Sequence, residues 1–245
     1  GSVSFNDGNN ESLKVTSSDL DFGSDDDFTY VVVYQSDTSN FDDSEAAILS
    51  NRYNLDGYQL YVKKSNGEAM GFIGDNSNYE SSRTNASQSG DIAHIVTATF
   101  DRGNDEHSIY LNGLKKDTVD VSNVGNSSMQ NGQALEIGHE FNQRYTSKYF
   151  YEGVIAEILI FSKILTSDEI SGINNYLSQK WGLTETVDSD ADGTLDVSDA
   201  DADGSGVADA DEIVSEDVLD GNADSDGDGI SNADEFAAGT DPTDA

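Results

Sequence analysis

Short apolar runs separated by polar clusters dominate the chain from residue 3 to about residue 183. The runs are rich in aromatic and β-branched residues, and clusters of Gly, Asn and Asp lie between them, which is typical of β-strands joined by turns. In the run 92–100 the side chains alternate in character, as expected for a strand with one face in a core. No long helical pattern separates the runs, so they predict a two-sheet antiparallel sandwich. The predicted strands are 28–34, 57–62, 92–100, 108–111, 134–137 and 153–161.

The dipeptide Asn112-Gly113 lies between an apolar run that ends at Leu111 and a second run that begins at Leu114. Asn and Gly both accept the positive φ angles that a two-residue turn requires. The sequence therefore predicts a tight β-hairpin at this position.

One helix is predicted near the end of the same region. Thr166 and Glu169 have the spacing of a capping box, and Gly182 is a typical stop signal. Four apolar side chains share one face of this helix: Ile170, Ile173, Leu177 and Trp181. We expect that face to dock on the sandwich, and we interpret Trp181, the single tryptophan, as a structural residue rather than a sugar platform.

Three segments of this region carry a family resemblance. They read EIGHEFN over 136–142, YEGVIAEILIFSKILTSDE over 151–169 and YLSQKWGL over 176–183. Together they resemble the laminin G-like, concanavalin A-like jelly rolls, in the branch shared with pentraxins. The resemblance implies two packed antiparallel sheets with ligand loops at one rim or on the concave face. Members bind glycans, phospho-ligands or proteins, commonly through calcium.

The resemblance to pentraxins also implies a calcium site at the rim of the jelly roll. Pentraxins bind calcium through an acidic stretch at the position of 139–142 and through an Asp-Asn pair in an earlier loop. This chain keeps oxygen-bearing side chains at Glu140 and Asn142, and its earlier loop has Asn54 and Asp56, which are not adjacent. These four residues are the candidate rim ligands. The alternative is that they are ordinary solvated loop residues.

A sugar site needs aromatic faces beside amide and carboxylate groups, because carbohydrate rings present C–H faces and rows of hydroxyls. The loop 141–151 is rich in both and lies beside the candidate rim ligands. Tyr145 and Tyr149 are the first candidates, because their loop is polar enough to be exposed. Arg144 and Tyr53 complete the candidate set.

The sequence indicates no catalytic set. A retaining glucanase of this fold needs two carboxylates about 5–5.5 Å apart. The strand pair Glu152 and Glu157 is expected to point to opposite faces, because strand residues alternate. No lyase-type set of Arg, Gln and Tyr accompanies His94, His107 or His139. We therefore interpret the chain as non-enzymatic.

Composition limits the partners and the compartment. The 245 residues carry a net charge of −36, which makes nucleic acid and anionic membrane poor partners. The chain has no Cys, so metal rather than disulfide bonds would stabilise it. No apolar run is long enough to span a membrane. We expect an extracellular, monomeric fragment of a larger secreted or cell-surface bacterial protein.

Residues 184–245 carry 21 acidic residues and no Lys or Arg. Three loops in this segment place side-chain oxygens at alternate positions before a Gly that permits a sharp turn, which is the spacing of calcium-binding loops. The candidate ligands are Asp188, Asp190, Asp192, Asp196 and Asp199 in the first loop, Asp201, Asp203, Ser205, Asp209 and Glu212 in the second, and Asp224, Asp226, Asp228, Asn232 and Glu235 in the third. The alternative is a disordered acidic tail.

The loops differ from paired EF-hands, because their starts are only 13 and then 23 residues apart. The unequal spacing, the DSDGDG run and the trailing GTDP resemble the thrombospondin type 3 repeats of bacterial surface and secreted proteins. The resemblance implies a calcium-stiffened stalk or linker. Such a segment is folded with calcium and unfolded without it, and extracellular modules of this sort have dissociation constants of about 10⁻⁴–10⁻³ M.

The sequence thus predicts an all-β jelly-roll sandwich with one C-terminal helix over residues 1–183, and an irregular segment of calcium-binding repeats over 184–245. The predicted function is a non-catalytic extracellular module that binds a glycan or polysaccharide in a calcium-dependent way. The alternative is a protein-binding or purely structural spacer domain of a bacterial surface adhesin.

Overall fold

The chain folds into two packed antiparallel sheets of six strands each, with one α-helix. This computed structural model describes residues 2–5, 11–22, 26–41, 44–88, 92–124, 131–140 and 149–209. The all-β jelly-roll sandwich predicted from the sequence is confirmed.

The strands are named in chain order. The first sheet consists, in spatial order, of β1 (Val3–Phe5), β12 (Gly153–Phe161), β3 (Phe28–Ser36), β8 (His94–Asp101), β9 (Glu106–Leu111) and β10 (Leu114–Asp120). The second sheet consists of β2 (Leu13–Val15), β11 (Leu135–Ile137), β4 (Glu45–Ser50), β5 (Asp56–Lys63), β6 (Ala69–Asp75) and β7 (Tyr79–Arg83). The helix α1 is Ser167–Trp181, and short 3-10 helices occupy Ser18–Leu20 and Asp196–Ser198.

All six predicted strands are present, within two residues at each end. The pattern missed β1 in the first sheet and β2, β4, β6 and β7 in the second sheet. For two of these strands the composition explains the omission: β6 contains two glycines and β7 reads YESSR, and both compositions are unfavourable for strands by propensity alone. β6 pairs with β5 and β7 pairs with β6, and this pairing overrides the local preference.

The core between the sheets is built around large aromatic side chains. Tyr30, Tyr34, Tyr58 and Tyr151 are almost fully buried. Each hydroxyl has a hydrogen-bond partner; for example, the Tyr58 hydroxyl donates to the Leu20 carbonyl over 2.9 Å. Burying these rings excludes a large apolar area from water while the polar ends stay satisfied, which stabilises the sandwich.

Helix α1 covers the outer face of the first sheet. The predicted capping box of Thr166 and Glu169 is confirmed, and the helix ends at Gly182, whose φ is 68°. The helix contributes to a second apolar cluster formed by Val31, Val33, Ile95, Leu177, Leu183 and Val187. Trp181 packs against this cluster and its Nε1 donates to a Glu157 carboxylate oxygen over 2.8 Å. Its predicted structural role is confirmed. No helix in the described part of the chain is long and apolar enough to cross a membrane.

The predicted hairpin joins β9 to β10. Asn112 and Gly113 have φ angles of 50° and 88°, in the left-handed region that this turn requires. The Asn112 side-chain oxygen accepts from the Ile95 backbone N–H over 2.9 Å. The turn is therefore fixed to the neighbouring strand β8.

A buried histidine links the two sheets. His107 on β9 is 3% exposed, its Nδ1 lies 2.9 Å from the Thr99 carbonyl, and its Nε2 lies 3.2 Å from the Ser82 hydroxyl of β7. Because a carbonyl only accepts, Nδ1 carries the proton and Nε2 accepts from Ser82. The neutral imidazole fits this arrangement.

We expect the stability of the sandwich to decline as the pH falls below about 6.5. Burial lowers the pKa of His107, although its hydrogen bonds and Asp117 oppose the shift, and burial lowers the pKa of His94 and His139 as well. The folded state therefore binds these protons less tightly than the unfolded chain, so stability is full above the unfolded pKa and is lost below it. Urea unfolding midpoints, measured between about pH 7.5 and 5.5 in constant calcium, test this. The His107→Gln variant should show a flatter decline, and a parallel decline would contradict the assignment.

Candidate functional site

The outer face of the second sheet carries a group of polar and aromatic side chains. Tyr58, Leu60 and Val62 of β5 point into the core, so the alternate residues Gln59 and Tyr61 lie on the outer face. The strand registers extend this face across β4, β6 and β7. We call it the polar sheet face, and it comprises Glu45, Arg52, Gln59, Tyr61, Phe72, Tyr79, Ser81, Arg83 and Glu140.

A stack of two rings and a guanidinium lies along this face. The Tyr79 and Phe72 rings are 5.6 Å apart at an interplanar angle of 24°. The Arg52 guanidinium carbon lies over the Phe72 ring, 4.1 Å from its centroid. Phe72 is buried, whereas Tyr79 is 54% exposed. Tyr79 therefore presents an aromatic face to solvent on a support of packed side chains.

The Arg52 guanidinium is held by a hydrogen-bond network. Its Nη1 donates to Gln59 Oε1 over 3.1 Å, and Gln59 Nε2 donates to Glu140 Oε2 over 2.9 Å. The same Nη1 lies 3.8 Å from Glu140 Oε1, and Nε donates to the Asn54 carbonyl over 2.5 Å. Glu140 is 4% exposed. A buried carboxylate is stable here because amide and guanidinium groups compensate its charge.

A second polar group lies beside the first. Burial raises the pKa of Glu45, Glu140 raises it further, and Lys63, Arg52 and Arg83 oppose the shift. Burial likewise raises the pKa of Tyr61 to about 12, with Glu45 adding to it and a hydrogen bond to Ser81 opposing it. The face thus offers hydroxyl, carboxylate and guanidinium groups close to aromatic rings.

Three of the four candidate rim ligands, Asn54, Asp56 and Glu140, lie among the described residues. Asp56 lies on the same side of β5 as the core residue Tyr58, because the two residues are two positions apart on the strand. Glu140 is hydrogen-bonded to Gln59, which lies on the opposite face of β5. Asn54 has a φ of 59° and offers its carbonyl to Arg52. Asn142 lies outside the described residues. The rim site stays a prediction.

The candidate sugar residues fall partly outside the described chain. Arg144 and Tyr145 are not among the described residues. Tyr149 has a φ of 65°, is partly buried, and its carbonyl accepts from the Ala47 backbone N–H over 3.0 Å. Tyr53 is partly buried in a tight turn that it closes with Asp56. The Tyr149 carbonyl contact places the end of the loop beside β4 of the second sheet.

The first acidic loop brings three carboxylates together. Oxygens of Asp188, Asp190 and Asp192 all lie within 4.8 Å of one another. Asp188 is 6% exposed, and its Oδ1 has no hydrogen-bond partner among the described residues. Gly193, the turn residue, has a φ of 100°. Three converging carboxylates, one of them buried with an unpaired oxygen, fit a hard divalent cation such as calcium.

The first two loops repeat one backbone pattern. In each loop the carboxylate at position one accepts a hydrogen bond from the backbone N–H of the turn Gly at position six. The carboxylate at position three accepts from the backbone N–H of position five, and the carboxylate at position nine accepts from the backbone N–H of position two. In the first loop these pairs are Asp188–Gly193, Asp190–Asp192 and Asp196–Ser189, and in the second Asp201–Gly206, Asp203–Ser205 and Asp209–Ala202. The equal spacing in sequence therefore produces equal local structure, as turns closed by side-chain oxygens do.

Two candidate ligands of the first loop make other contacts. The Asp196 carboxylate accepts from the Ser178 hydroxyl of α1 and from the Ser189 hydroxyl, and burial raises its pKa. Asp199 Oδ1 accepts from the Asp201 backbone N–H over 3.0 Å. In this structure Asp196 therefore connects the loop to the helix, and its role as an ion ligand stays a prediction. Glu212 and the third loop, 224–235, lie outside the described residues.

The two strand carboxylates, Glu152 and Glu157, have different surroundings. Glu157 accepts hydrogen bonds from Trp181 and from Lys180, so it stabilises the helix contact. Glu152 is buried just before β12. Sequence reasoning overlooked the polar sheet face, although the alternation in 57–62 placed Gln59 and Tyr61 on one side.

Comparison with solved structures shows the fold. The chain is similar to CBM40, a carbohydrate-binding module of the Ruminococcus gnavus IT-sialidase, bound to α2,3-sialyllactose. The identity is 14% and the TM-score is 0.55, over 71% of this chain and 96% of that one. It is similar to the binding domain of Paraclostridial Mosquitocidal Protein 1, with 18% identity and a TM-score of 0.55. That match covers 72% of this chain and 43% of the other. It also resembles the botulinum neurotoxin serotype G binding domain, with 18% identity and a TM-score of 0.52. That match covers 73% of this chain and 45% of the other.

Family models account for most of the sequence, while no curated protein sequence matches it significantly. The model of the bacterial TSP3 repeat matches residues 224–245, in agreement with the thrombospondin type 3 resemblance. The laminin G-type model, described as the concanavalin A-like lectin/glucanases superfamily, matches residues 7–171. Since that match spans well over half of the chain, the protein belongs to the concanavalin A-like lectin/glucanase superfamily.

Proposed function

We propose that the chain is a non-catalytic, extracellular glycan-binding module that uses the polar sheet face, and that its C-terminal acidic loops bind calcium. The observation that carries the proposal is the exposed Tyr79 ring, supported by Phe72 and Arg52. Sugar rings bind such surfaces because their C–H faces pack on an aromatic ring while their hydroxyls bond to neighbouring polar groups. Glu45, Tyr61 and Ser81 supply such groups.

The module is suited to binding because its polar groups are positioned in advance. Arg52 is fixed by two hydrogen-bond acceptors, by the ion pair with Glu140 and by the ring of Phe72. Rigid side chains lose little conformational freedom when a ligand binds, so more of the interaction energy remains as affinity. The structural similarity to a sialyllactose-bound carbohydrate-binding module supports the same type of function.

Calcium is proposed at the first loop through Asp188, Asp190 and Asp192, and at the second through Asp201, Asp203 and Ser205. When bound, the ion would neutralise converging carboxylates and stiffen the segment after the jelly roll. The domain boundary at residue 183 and the stalk-like role of 184–245 are part of this proposal. The alternative role, a protein-binding or spacer domain of a surface adhesin, would leave the polar sheet face without a sugar ligand.

A glycan array followed by titration calorimetry tests the proposal. Replacing Tyr79 by Ala should weaken binding to the best glycan at least about tenfold, equivalent to about 1.4 kcal/mol, because the stacking surface is removed. Tyr110→Ala is the matched control, since Tyr110 lies on β9 of the other sheet and its loss should leave affinity unchanged. Tyr149→Ala tests the competing loop site.

The outcomes separate the candidate functions. Loss of affinity only in the Tyr149 variant would move the site to the loop, and equal loss in the Tyr79 and Tyr110 variants would reject the polar sheet face. An array without any bound glycan would favour the adhesin or spacer role. Release of reducing ends from a bound glycan would contradict the non-catalytic assignment.

A further inference from the structure

The chain does not leave the sandwich when helix α1 ends. Val187 is fully buried and packs in the same cluster as Val31 and Ile95 of the first sheet and Leu177 of the helix. The residue that follows it, Asp188, is the first carboxylate of the first acidic loop. The loop is therefore connected to the core through a residue without any solvent exposure.

The turn of the β9–β10 hairpin holds the start of this loop. The Asp188 backbone N–H donates to the Asn112 carbonyl over 3.2 Å, and Asn112 Nδ2 donates to the Thr186 carbonyl over 3.0 Å. Gly113 lies so close that a Cβ at this position would stand 1.8 Å from the Asp188 carbonyl oxygen. The hairpin thus sets the position of Asp188 by hydrogen bonds and by direct contact.

The far side of the loop is attached to helix α1. The Asp196 carboxylate accepts from Ser178, which is fully buried on the helix, and from both the backbone and the side chain of Ser189. The Asp196 backbone N–H also donates to the Val187 carbonyl over 3.0 Å. Both ends of the loop are therefore fixed to different elements of the jelly roll.

The centre of the loop concentrates negative charge. The Asp188 carboxylate is buried, and while its Oδ2 accepts from the Gly193 N–H, its Oδ1 has no partner among the described residues. Oxygens of Asp190 and Asp192 lie within 4.8 Å of it. Three carboxylates at this distance repel one another in a partly desolvated site. The repulsion also acts on helix α1 and on the β9–β10 hairpin, which the loop joins.

We propose that a calcium ion held by Asp188, Asp190 and Asp192 is a structural part of the jelly roll, fixing helix α1 against the β9–β10 hairpin, so that the stability of the sandwich itself depends on calcium. The inference rests on the proposed calcium binding of the acidic loops. It differs from a stalk in which the loops stiffen only the segment beyond the domain. Ion binding to the folded state adds to its stability by mass action.

The single tryptophan provides a local readout. Trp181 lies at the end of α1 and packs on the cluster that contains Val187, so its fluorescence reports the region that the ion would fix. In the full chain, saturating calcium should raise the thermal midpoint recorded by Trp181 by about 5 °C or more over the value in EDTA. An unchanged midpoint would overturn the proposal, whatever calcium does to the rest of the segment.

The Asp188→Asn variant distinguishes an aspartate that binds calcium from one that only makes hydrogen bonds within the loop. Asn keeps an oxygen for the Gly193 N–H but removes the charge, so the midpoint in EDTA should equal or exceed that of the parent chain while the calcium-induced rise is lost. Asp226→Asn, in the third loop outside the described residues, is the control and should retain the rise. Retention of the rise in Asp188→Asn, or its loss in Asp226→Asn alone, would overturn the proposal.

Substitution of Gly113 tests whether the β9–β10 hairpin positions the calcium site, and it changes none of the proposed calcium ligands. Gly113→Ala should weaken the calcium dependence of the Trp181 signal by at least about tenfold in calcium concentration, because the new methyl group displaces Asp188. Gly132→Ala is the matched control: Gly132 also has a positive φ, 68°, but a Cβ there meets nothing within 4 Å. Equal calcium responses in the two variants would show that the hairpin does not position the site. Glycan affinity is measured separately, so that a failure of the proposed glycan binding is distinguished from a failure of the calcium proposal.

Discussion

Replacing Arg52 by Met is expected to abolish measurable glycan binding and to lower the free energy of unfolding by about 2 kcal/mol. Methionine keeps an apolar stem over the Phe72 ring but removes the guanidinium. The buried Glu140 carboxylate then loses a cation 3.8 Å away and Gln59 loses its donor. Breaking a buried pair on one side is costly because the remaining charge stays in a desolvated position.

Two further variants make this result specific. In the double variant Arg52→Met with Glu140→Gln, most of the lost stability should return, since the uncompensated charge is gone, whereas glycan binding should not return. Arg102→Met is the matched control: Arg102 also stacks on a ring, that of Phe100, at 4.9 Å, and its carboxylate partner Asp105 is exposed. We expect that control to keep full glycan affinity.

Calorimetry and urea unfolding measure the two effects independently. Normal glycan affinity in Arg52→Met would show that the polar sheet face is not the sugar site. A double variant no more stable than the single variant would show that the pairing with Glu140 does not explain the destabilisation.

Removing calcium from the full chain is expected to unfold much of the segment 184–245 and to enlarge the molecule in solution. The segment carries 21 negative charges and no positive side chain, and three bound ions would reduce its charge from −21 to −15. Because a loop of this kind has little apolar core, the free energy of ion binding supplies most of its folding free energy. Small-angle scattering and far-ultraviolet circular dichroism in EDTA and in millimolar calcium measure the change.

Matched ionic conditions distinguish coordination from screening. Magnesium at the same concentration should restore the compact form poorly, since magnesium demands a smaller and more regular set of ligands. Sodium chloride at equal ionic strength should have a modest effect, because screening acts on exposed charges but fills no ligand cage. Identical scattering in EDTA and calcium, or full recovery in sodium chloride, would contradict calcium binding by these loops.

Local signals in the sequence predicted the elements that depend on local chemistry. The capping box at Thr166, the stop at Gly182 and the turn at Asn112-Gly113 each require particular residue types at short spacing, and all three are present. The sandwich followed from apolar runs of strand length. The spacing of Asp and Gly likewise predicted that the loops beginning at Asp188 and Asp201 share one backbone arrangement.

The sequence was less informative where the second sheet is built from weak strands. The glycines of β6 and the polar residues of β7 gave no strand signal, because β6 is stabilised by pairing with β5 and β7 by pairing with β6, rather than by propensity. As a result, the sequence pattern placed neither Tyr79 nor Arg83 on a sheet. Only the register between strands places Tyr79 beside Phe72, and only a turn at residues 53–56 brings Arg52 over the same ring.

The sequence by itself therefore determined the fold class, the helix and the repeated acidic loops, since each depends on residues close together along the chain. The tertiary structure decided which side chains share the polar sheet face and that Asp196 is bonded to helix α1 through Ser178. Those contacts join residues far apart in the chain, so they arise from strand register and sheet packing, which local spacing does not encode.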